Sequence, residues 1–177
     1  MQYRRSQVEG GTYFFTVNLA ERDSSLLVDY IELLRTVVGR VKKRHPFIID
    51  AMVILPEHMH AVWTLPPGEA NYSKLWMLIK AGFSRNIPQG EYRNKSRLSK
   101  GERGIWQRRY WEHLIQDEED FERHVDYIHF NPVKHGYVTY AADWPYSSIH
   151  RYIKAGLVAP DWGVGAKVGN NVYGERK

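Results

Sequence analysis

The sequence predicts an α+β sandwich, an antiparallel sheet with helices on one face plus a further helix that carries Tyr127. Three observations predict it. Strand-like and helix-like segments follow in the order strand, helix, strand, strand, helix, strand, helix. The second and third strands are joined by Pro56-Glu57 alone, which makes them an antiparallel hairpin. In the third strand Met59, Ala61, Trp63 and Leu65 alternate with the other residues, so one face is apolar throughout. This order is the split βαβ of a ferredoxin-like or RRM-like sandwich.

Each element has its own signal. Thr12 to Leu19 reads as a strand, with Phe15, Val17 and Leu19 on one face and Phe14, Thr16 and Asn18 on the other. Asp23 or Ser24 can cap a helix running to about Lys43, whose stripe is Leu26, Leu27, Ile31, Leu34, Val38 and Val41. Phe47 to Leu55 and His58 to Leu65 form the hairpin, ended by Pro66-Pro67-Gly68. Asn71 or Ser73 opens a second helix to about Asn86, with Leu75, Trp76, Ile79 and Phe83 as its stripe. Residues 87 to 104 show no period, and a loop that long in a compact domain is usually functional or disordered. A fourth strand falls at about Arg109 to Gln116. Asp117 then caps a third helix from Glu118 to Phe130, which Pro132 is expected to stop near Asn131. A short helix is expected near Ile149 to Lys154.

Composition narrows the function. The 177 residues are 43% hydrophobic and 25% charged, ordinary for one globular domain. The absence of cysteine excludes disulfides and thiolate chemistry. No membrane span or secretory signal is visible, so a cytoplasmic protein without a membrane partner is expected. The net charge of +5 and pI of ≈ 9.3 favour a polyanionic partner such as nucleic acid. Basic residues gather at Arg4 and Arg5, and again at Arg85, Arg93, Lys95, Arg97, Lys100, Arg103, Arg108 and Arg109, where backbone phosphates would suit them.

The chemistry centres on Leu55-Pro56-Glu57-His58-Met59-His60. Two residues apart on a strand, His58 and His60 point the same way, and two neutral imidazoles side by side begin a metal site. On the third helix Tyr127 and Asn131, four residues apart, share a face. An amide oxygen from Asn131 would complete a set that suits Mn²⁺ or Mg²⁺, and Tyr127 beside that metal could attack phosphorus. Read from residues alone, a half-buried helix tyrosine and a helix C-cap account for Tyr127 and Asn131 as well. Glu57 could bind metal, orient a histidine or stay a solvated turn residue. His113 could approach the metal or DNA, or be a satisfied sheet histidine. His124 and His129 read as helix-surface residues. Trp106 and Trp111 read as packing or base-stacking groups.

Glu57-His58-Met59-His60 and the run Asp126-Tyr127-Ile128-His129-Phe130-Asn131-Pro132-Val133-Lys134-His135-Gly136 together resemble the REP-associated tyrosine transposases, which are related to single-tyrosine HUH transposases. Gly10-Gly11-Thr12-Tyr13-Phe14-Phe15, Trp106-Gln107, Trp111-Glu112-His113 and Asp143-Trp144-Pro145-Tyr146-Ser147-Ser148 extend the resemblance over about residues 3 to 163. It implies a catalytic domain over residues 1–163 with a basic arm, followed by a flexible tail, 164–177. It also implies an enzyme that cuts and rejoins single-stranded DNA folded as hairpins of repetitive extragenic palindromes, through a covalent 5′-phosphotyrosine. His58, His60 and Asn131 would match its Mg²⁺ or Mn²⁺ ligands and Tyr127 its nucleophile, although insertion-sequence relatives often carry Gln at the third ligand. We expect Arg4 and Arg5 to meet the hairpin foot, and the 85–109 loop its backbone. Monomer and homodimer stay open. So do a non-catalytic hairpin-binding module and a metal-dependent hydrolytic nuclease.

Overall fold

The computed structural model describes residues 7–165 and 173–175. The elements are β1 (Thr12–Asn18), α1 (Leu26–Asp29), α2 (Ile31–Arg44), β2 (Ile48–Ile54), β3 (His58–Thr64), α3 (Tyr72–Arg85), α4 (Lys95–Ser99), β4 (Trp111–Leu114), α5 (Glu118–Lys134), a 3₁₀ turn (Ala141–Asp143) and α6 (Ile149–Lys154). The strands form one sheet in the order β2-β3-β1-β4, and every neighbouring pair is antiparallel. The helix expected from Asp23 or Ser24 is interrupted at Tyr30, which separates α1 from α2. No helix among the described residues is long and apolar enough to cross a membrane.

Strand alternation divides the core in two. Tyr13, Phe15 and Val17 of β1 and Met59, Ala61 and Trp63 of β3 pack against the apolar stripes of α2 and α3. Trp63 stacks on Trp76 with ring centroids 4.1 Å apart. The two helices approach closely at Gly82, where an added Cβ would lie 2.8 Å from Val37 Cγ1.

The other sheet face, away from α2 and α3, is where the tyrosine-bearing helix α5 docks. Phe14, Ala51, Val53, Leu55 and Val62 project from it and are covered by Val125, Tyr127 and Ile128 of α5. Burying each such aliphatic or aromatic side chain gains roughly 1.5–3 kcal/mol, so leaving that face wet would be costly. The sheet is therefore sandwiched, and α5 lies across His58 and His60.

α5 begins as expected, with the Asp117 side chain accepting from Asp120 N at 2.9 Å. It does not stop at Asn131. Gly136, at φ +74, closes the helix instead. Tyr137 N donates to Pro132 O and Gly136 N to Val133 O, the paired bonds of a Schellman cap. Pro132 sits so near this end that its missing donor is tolerated, and the helix gains the turn that carries Lys134.

His129 faces inward rather than outward. It is fully buried, with Nε2 2.9 Å from Ser148 Oγ and Nδ1 unpartnered. Burial, helped by the Arg151 charge, pushes its pKa down to about 4. A histidine with a depressed pKa takes up its proton in the unfolded chain first. Its contribution is therefore present above pH ~6.5 and is lost as pH falls towards 4. Urea unfolding in chelator should lose roughly 3 kcal/mol across that window on account of His129, and His129→Gln should make the slope shallower. Stability that rises on acidification would contradict this assignment.

Candidate active site

The two histidines stand at the start of β3, where β1 fixes their depth. His60 is paired with Thr16 and His58 with Asn18 across the ladder. Both rings are buried, with centroids 4.9 Å apart. Each is turned by a partner on Nδ1. Glu57 Oε1 lies 2.7 Å from His58 Nδ1, and a carboxylate can only accept, so that nitrogen carries the proton. Thr16 Oγ1 donates to Tyr173 O and so accepts from His60 Nδ1 at 2.7 Å. Both Nε2 lone pairs are thereby aimed into the site, the outer-shell arrangement usual for metal-binding imidazoles.

α5 supplies the opposite wall. The Tyr127 ring lies 5.2 Å from the His60 ring and is buried. Asn131, one turn on, is fully buried, with Oδ1 unpartnered. Lys134 lies two turns beyond Tyr127, on the same side of the helix. It donates to the Tyr127 hydroxyl at 2.9 Å, with its ammonium 4.6 Å from the ring centroid. His135 closes this wall, its ring centroid 5.1 Å from that of His58.

Residues 173–175, in the stretch expected to be a loose tail, are packed into this site. Glu175 Oε1 accepts from the Tyr127 hydroxyl and from Asn131 Nδ2 at 2.8 Å. Its Oε2 meets Lys134 Nζ at 2.8 Å and His135 Nε2 at 3.3 Å. Burial pushes the Glu175 carboxyl up, but the bonds from His135 and Lys134 outweigh it and hold the group ionised, far below the usual range. Burial raises the Tyr127 phenol, and the bond and charge of Glu175 raise it further, so Tyr127 is held protonated in this arrangement.

The residues fit a divalent cation. His58 Nε2 and Asn131 Oδ1 are both buried without a partner, an expensive state for polar atoms. Burial holds His60 neutral, its pKa pushed down to about 3. With its proton on Nδ1, His60 presents a lone pair, not a donor, to Glu175 Oε1 at 3.1 Å. A cation would satisfy all three atoms at once. His58, His135 and Glu175 also bring one donor atom each within 4.8 Å of one another, which extends the choice of ligands.

Sequence reasoning missed Lys134, His135 and Glu175 as members of the site. Helical spacing could have found Lys134, seven residues after Tyr127. Nothing in the tail marks Glu175. Arg4 and Arg5 lie outside the described residues. His113 and His124 do not reach the centre. They share Asp120, with His113 Nε2 at 2.7 Å from Oδ2 and His124 Nδ1 donating to the Asp120 carbonyl at 2.7 Å.

The basic loop is more ordered than its composition suggests. It contains α4, whose N-cap Asn94 accepts from Arg97 N at 2.9 Å. Arg103 is spent internally, on Glu91 and on the carbonyls of Ser84, Ile87 and Pro88. Arg97 holds the carbonyls of Arg103 and Trp106, and Arg108 pairs with Glu102. Arg93 reaches the Glu102 carbonyl at 3.5 Å. Lys95 and Arg109 are exposed. The loop also walls a groove of ≈ 780 Å³ lined by Lys80, Arg85, Arg97, Trp106, Arg108 and Tyr110.

An antiparallel sandwich with paired imidazoles facing a helix-borne tyrosine defines a class, and comparison with known proteins agrees with it. Residues 8–131 match the family described as "Transposase IS200 like". The chain is 45% identical to the REP-associated tyrosine transposase of Escherichia coli K12, over 91% of this chain and 90% of that protein. It is 47% identical to a Haemophilus influenzae Rd protein assigned to the same group, over 91% of this chain and 92% of that one. A solved structure of a REP-associated tyrosine transposase bound to a REP hairpin superposes with a TM-score of 0.86 at 44% identity, covering 100% of this chain and 98% of that one. The chain belongs to the IS200-like transposases and, within them, to the REP-associated tyrosine transposases.

Proposed function

We propose that the protein cuts and rejoins single-stranded DNA carrying a REP-type hairpin, with Tyr127 as nucleophile. One observation carries this reading. The Tyr127 hydroxyl, the His60 Nε2 lone pair and the Asn131 amide all meet the same carboxylate, that of Glu175. That carboxylate stands where the anionic oxygens of a phosphodiester would be bound. Further support comes from the solved relative bound to a REP hairpin. The cytoplasm, where such hairpins arise on the chromosome, is the compartment that fits.

In the proposed reaction the Tyr127 oxygen forms a bond to phosphorus and loses its proton, while the bond from phosphorus to the 3′ oxygen breaks and that oxygen takes a proton. Attack of the freed 3′-hydroxyl on the phosphotyrosine reverses the exchange and joins strands. Lys134, already bonded to the hydroxyl, holds positive charge beside the oxygen as it becomes negative. His58, His60 and Asn131 would hold Mg²⁺ or Mn²⁺, which when bound polarises the phosphate. Glu57 and Thr16 keep the two imidazoles in the tautomer this requires. The exposed cations Lys95 and Arg109, with the groove beside Lys80, are the surfaces proposed for the hairpin backbone, and Arg4 and Arg5 for its foot. Arg97 and Arg103 would act by holding the loop, because their guanidinium groups are engaged within it.

The test is to incubate the protein with a hairpin-bearing single strand and Mn²⁺ or Mg²⁺, then look for a denaturant-resistant protein–DNA adduct. Cleavage without an adduct would indicate a hydrolytic nuclease. Tight binding indifferent to chelator, without cleavage, would indicate a binding module. Since Glu175 competes for the groups that would receive phosphate, Glu175→Ala should speed adduct formation by about tenfold, the value of one charge-assisted hydrogen bond. An unchanged or slower rate in single-turnover assays would mean that Glu175 belongs to the working site.

A further inference from the structure

Beside the catalytic centre lies an aromatic cluster that the proposed chemistry does not use. It joins Phe14 of β1 to His124 of α5, one turn before Tyr127, with ring centroids 4.7 Å apart. His113 of β4 stacks behind His124 at 4.8 Å and 18°. Asp120 anchors both imidazoles, so the stack is rigid. Tyr173 packs on this cluster, its ring 4.5 Å from His124, 4.8 Å from Tyr127 and 5.6 Å from Phe14.

Three features mark this as more than a patch of core. His124 Nδ1 donates to the Asp120 carbonyl, which leaves Nε2 an acceptor, and that atom is buried without a partner. The Tyr173 ring does not satisfy it, whereas an N–H group of the bound strand that reaches it in the plane of the imidazole can. The tail also follows a fitted path. Gly174 adopts φ +71, and an added Cβ would run into the Trp111 side chain. Finally, an aromatic ring at position 173 and a carboxylate at 175 place a flat π-system and an anion side by side, the two parts of a nucleotide.

We propose that Phe14, His113 and His124 form a nucleobase subsite for the nucleotide adjoining the phosphate that Tyr127 attacks, and that Tyr173 and Glu175 occupy here the places of that base and phosphate. The base stacks on the His124 ring, backed by His113. Trp111, 46% exposed and on the same strand face as His113, continues the row and receives the next base along the strand. The subsite rests on the strand-transfer reading for its substrate, but it is tested by binding as well as by chemistry.

The test places 2-aminopurine, whose fluorescence falls on stacking, at the nucleotides immediately 5′ and 3′ of the scissile phosphate. Binding is read in full-length Tyr127→Phe protein, which cannot turn over. Quenching is expected at one of the two positions, abolished by adding His124→Ala and retained with His124→Phe, which keeps an aromatic ring. An abasic nucleotide at the quenched position should slow adduct formation about tenfold in the otherwise intact protein, within the range for loss of one base–aromatic stack. In His124→Ala the same lesion should cost less than about twofold, because the stack is already gone. No quenching at either position, or an equal abasic penalty with and without His124, would overturn the subsite. If no strand gives an adduct, the strand-transfer reading fails, while the quenching result still decides whether a base is bound here.

Discussion

Tyr127→Phe is expected to abolish the covalent protein–DNA adduct, with strand cleavage falling by at least ~10⁴-fold, as when a lone nucleophile is removed. The substitution is clean on structural grounds. The ring packs against Phe14, His60 and Tyr173, and phenylalanine keeps those contacts. What is lost is the hydroxyl, with its bonds to Lys134 and Glu175. Hairpin binding should stay within about twofold, since one neutral hydroxyl contributes little to a contact dominated by phosphate charge. Lys134→Met should give a milder version, retaining the nucleophile without its neighbouring charge. Adduct formation by Tyr127→Phe at the wild-type rate would assign attack to another residue.

His60→Ala is expected to produce the second largest loss, on the order of 10³-fold in cleavage, because a divalent cation polarising the phosphate supplies several kcal/mol. His58→Ala should behave alike. The metal-binding claim has a readout independent of activity. Mn²⁺ at a hundred times its Kd should stabilise the wild-type fold by about 2.7 kcal/mol, and that shift should vanish in either variant. Glu57→Gln keeps a hydrogen bond to His58 Nδ1 but removes the charge behind it. It should weaken metal affinity by about 10–100-fold, as loss of an orienting partner does. A wild-type metal shift in His60→Ala would remove this residue from the ligand set.

Much of the fold and part of the site were legible in the sequence, for identifiable reasons. The β2–β3 hairpin and the face carrying His58 and His60 follow from strict alternation, which a one-residue slip would invert. Tyr127 and Asn131 share a side of α5 because four residues make one turn. The end of α5 was misread because Pro132 is a local signal, while the Schellman cap at Gly136 is a set of bonds that forms only around the completed turn. The docking of α5 on the second sheet face is only half legible, because Val125 and Ile128 are too few to reveal by spacing alone which surface they meet. The basic loop read as a ready phosphate surface, yet Arg103 and Arg97 lie against Glu91 and backbone carbonyls, pairings that depend on how the loop folds. Glu175 and Tyr173 were invisible for a similar reason. They join the site from more than forty residues beyond Tyr127, and no periodicity connects them to it.

The central claim is that Tyr127 attacks a DNA phosphate beside the paired histidines. It is tested most directly by labelling a hairpin-bearing strand at its 3′ end, reacting it with wild-type protein and Mn²⁺, and mapping the labelled protein by tryptic mass spectrometry. Cleavage after Arg123 and Lys134 gives a peptide, residues 124–134, whose single tyrosine is Tyr127. The account predicts that this peptide alone carries the DNA, through a 5′-phosphate, and that the released fragment ends in a 3′-hydroxyl. Label on any other peptide, or cleaved strands with a free 5′-phosphate and unmodified protein, would contradict it.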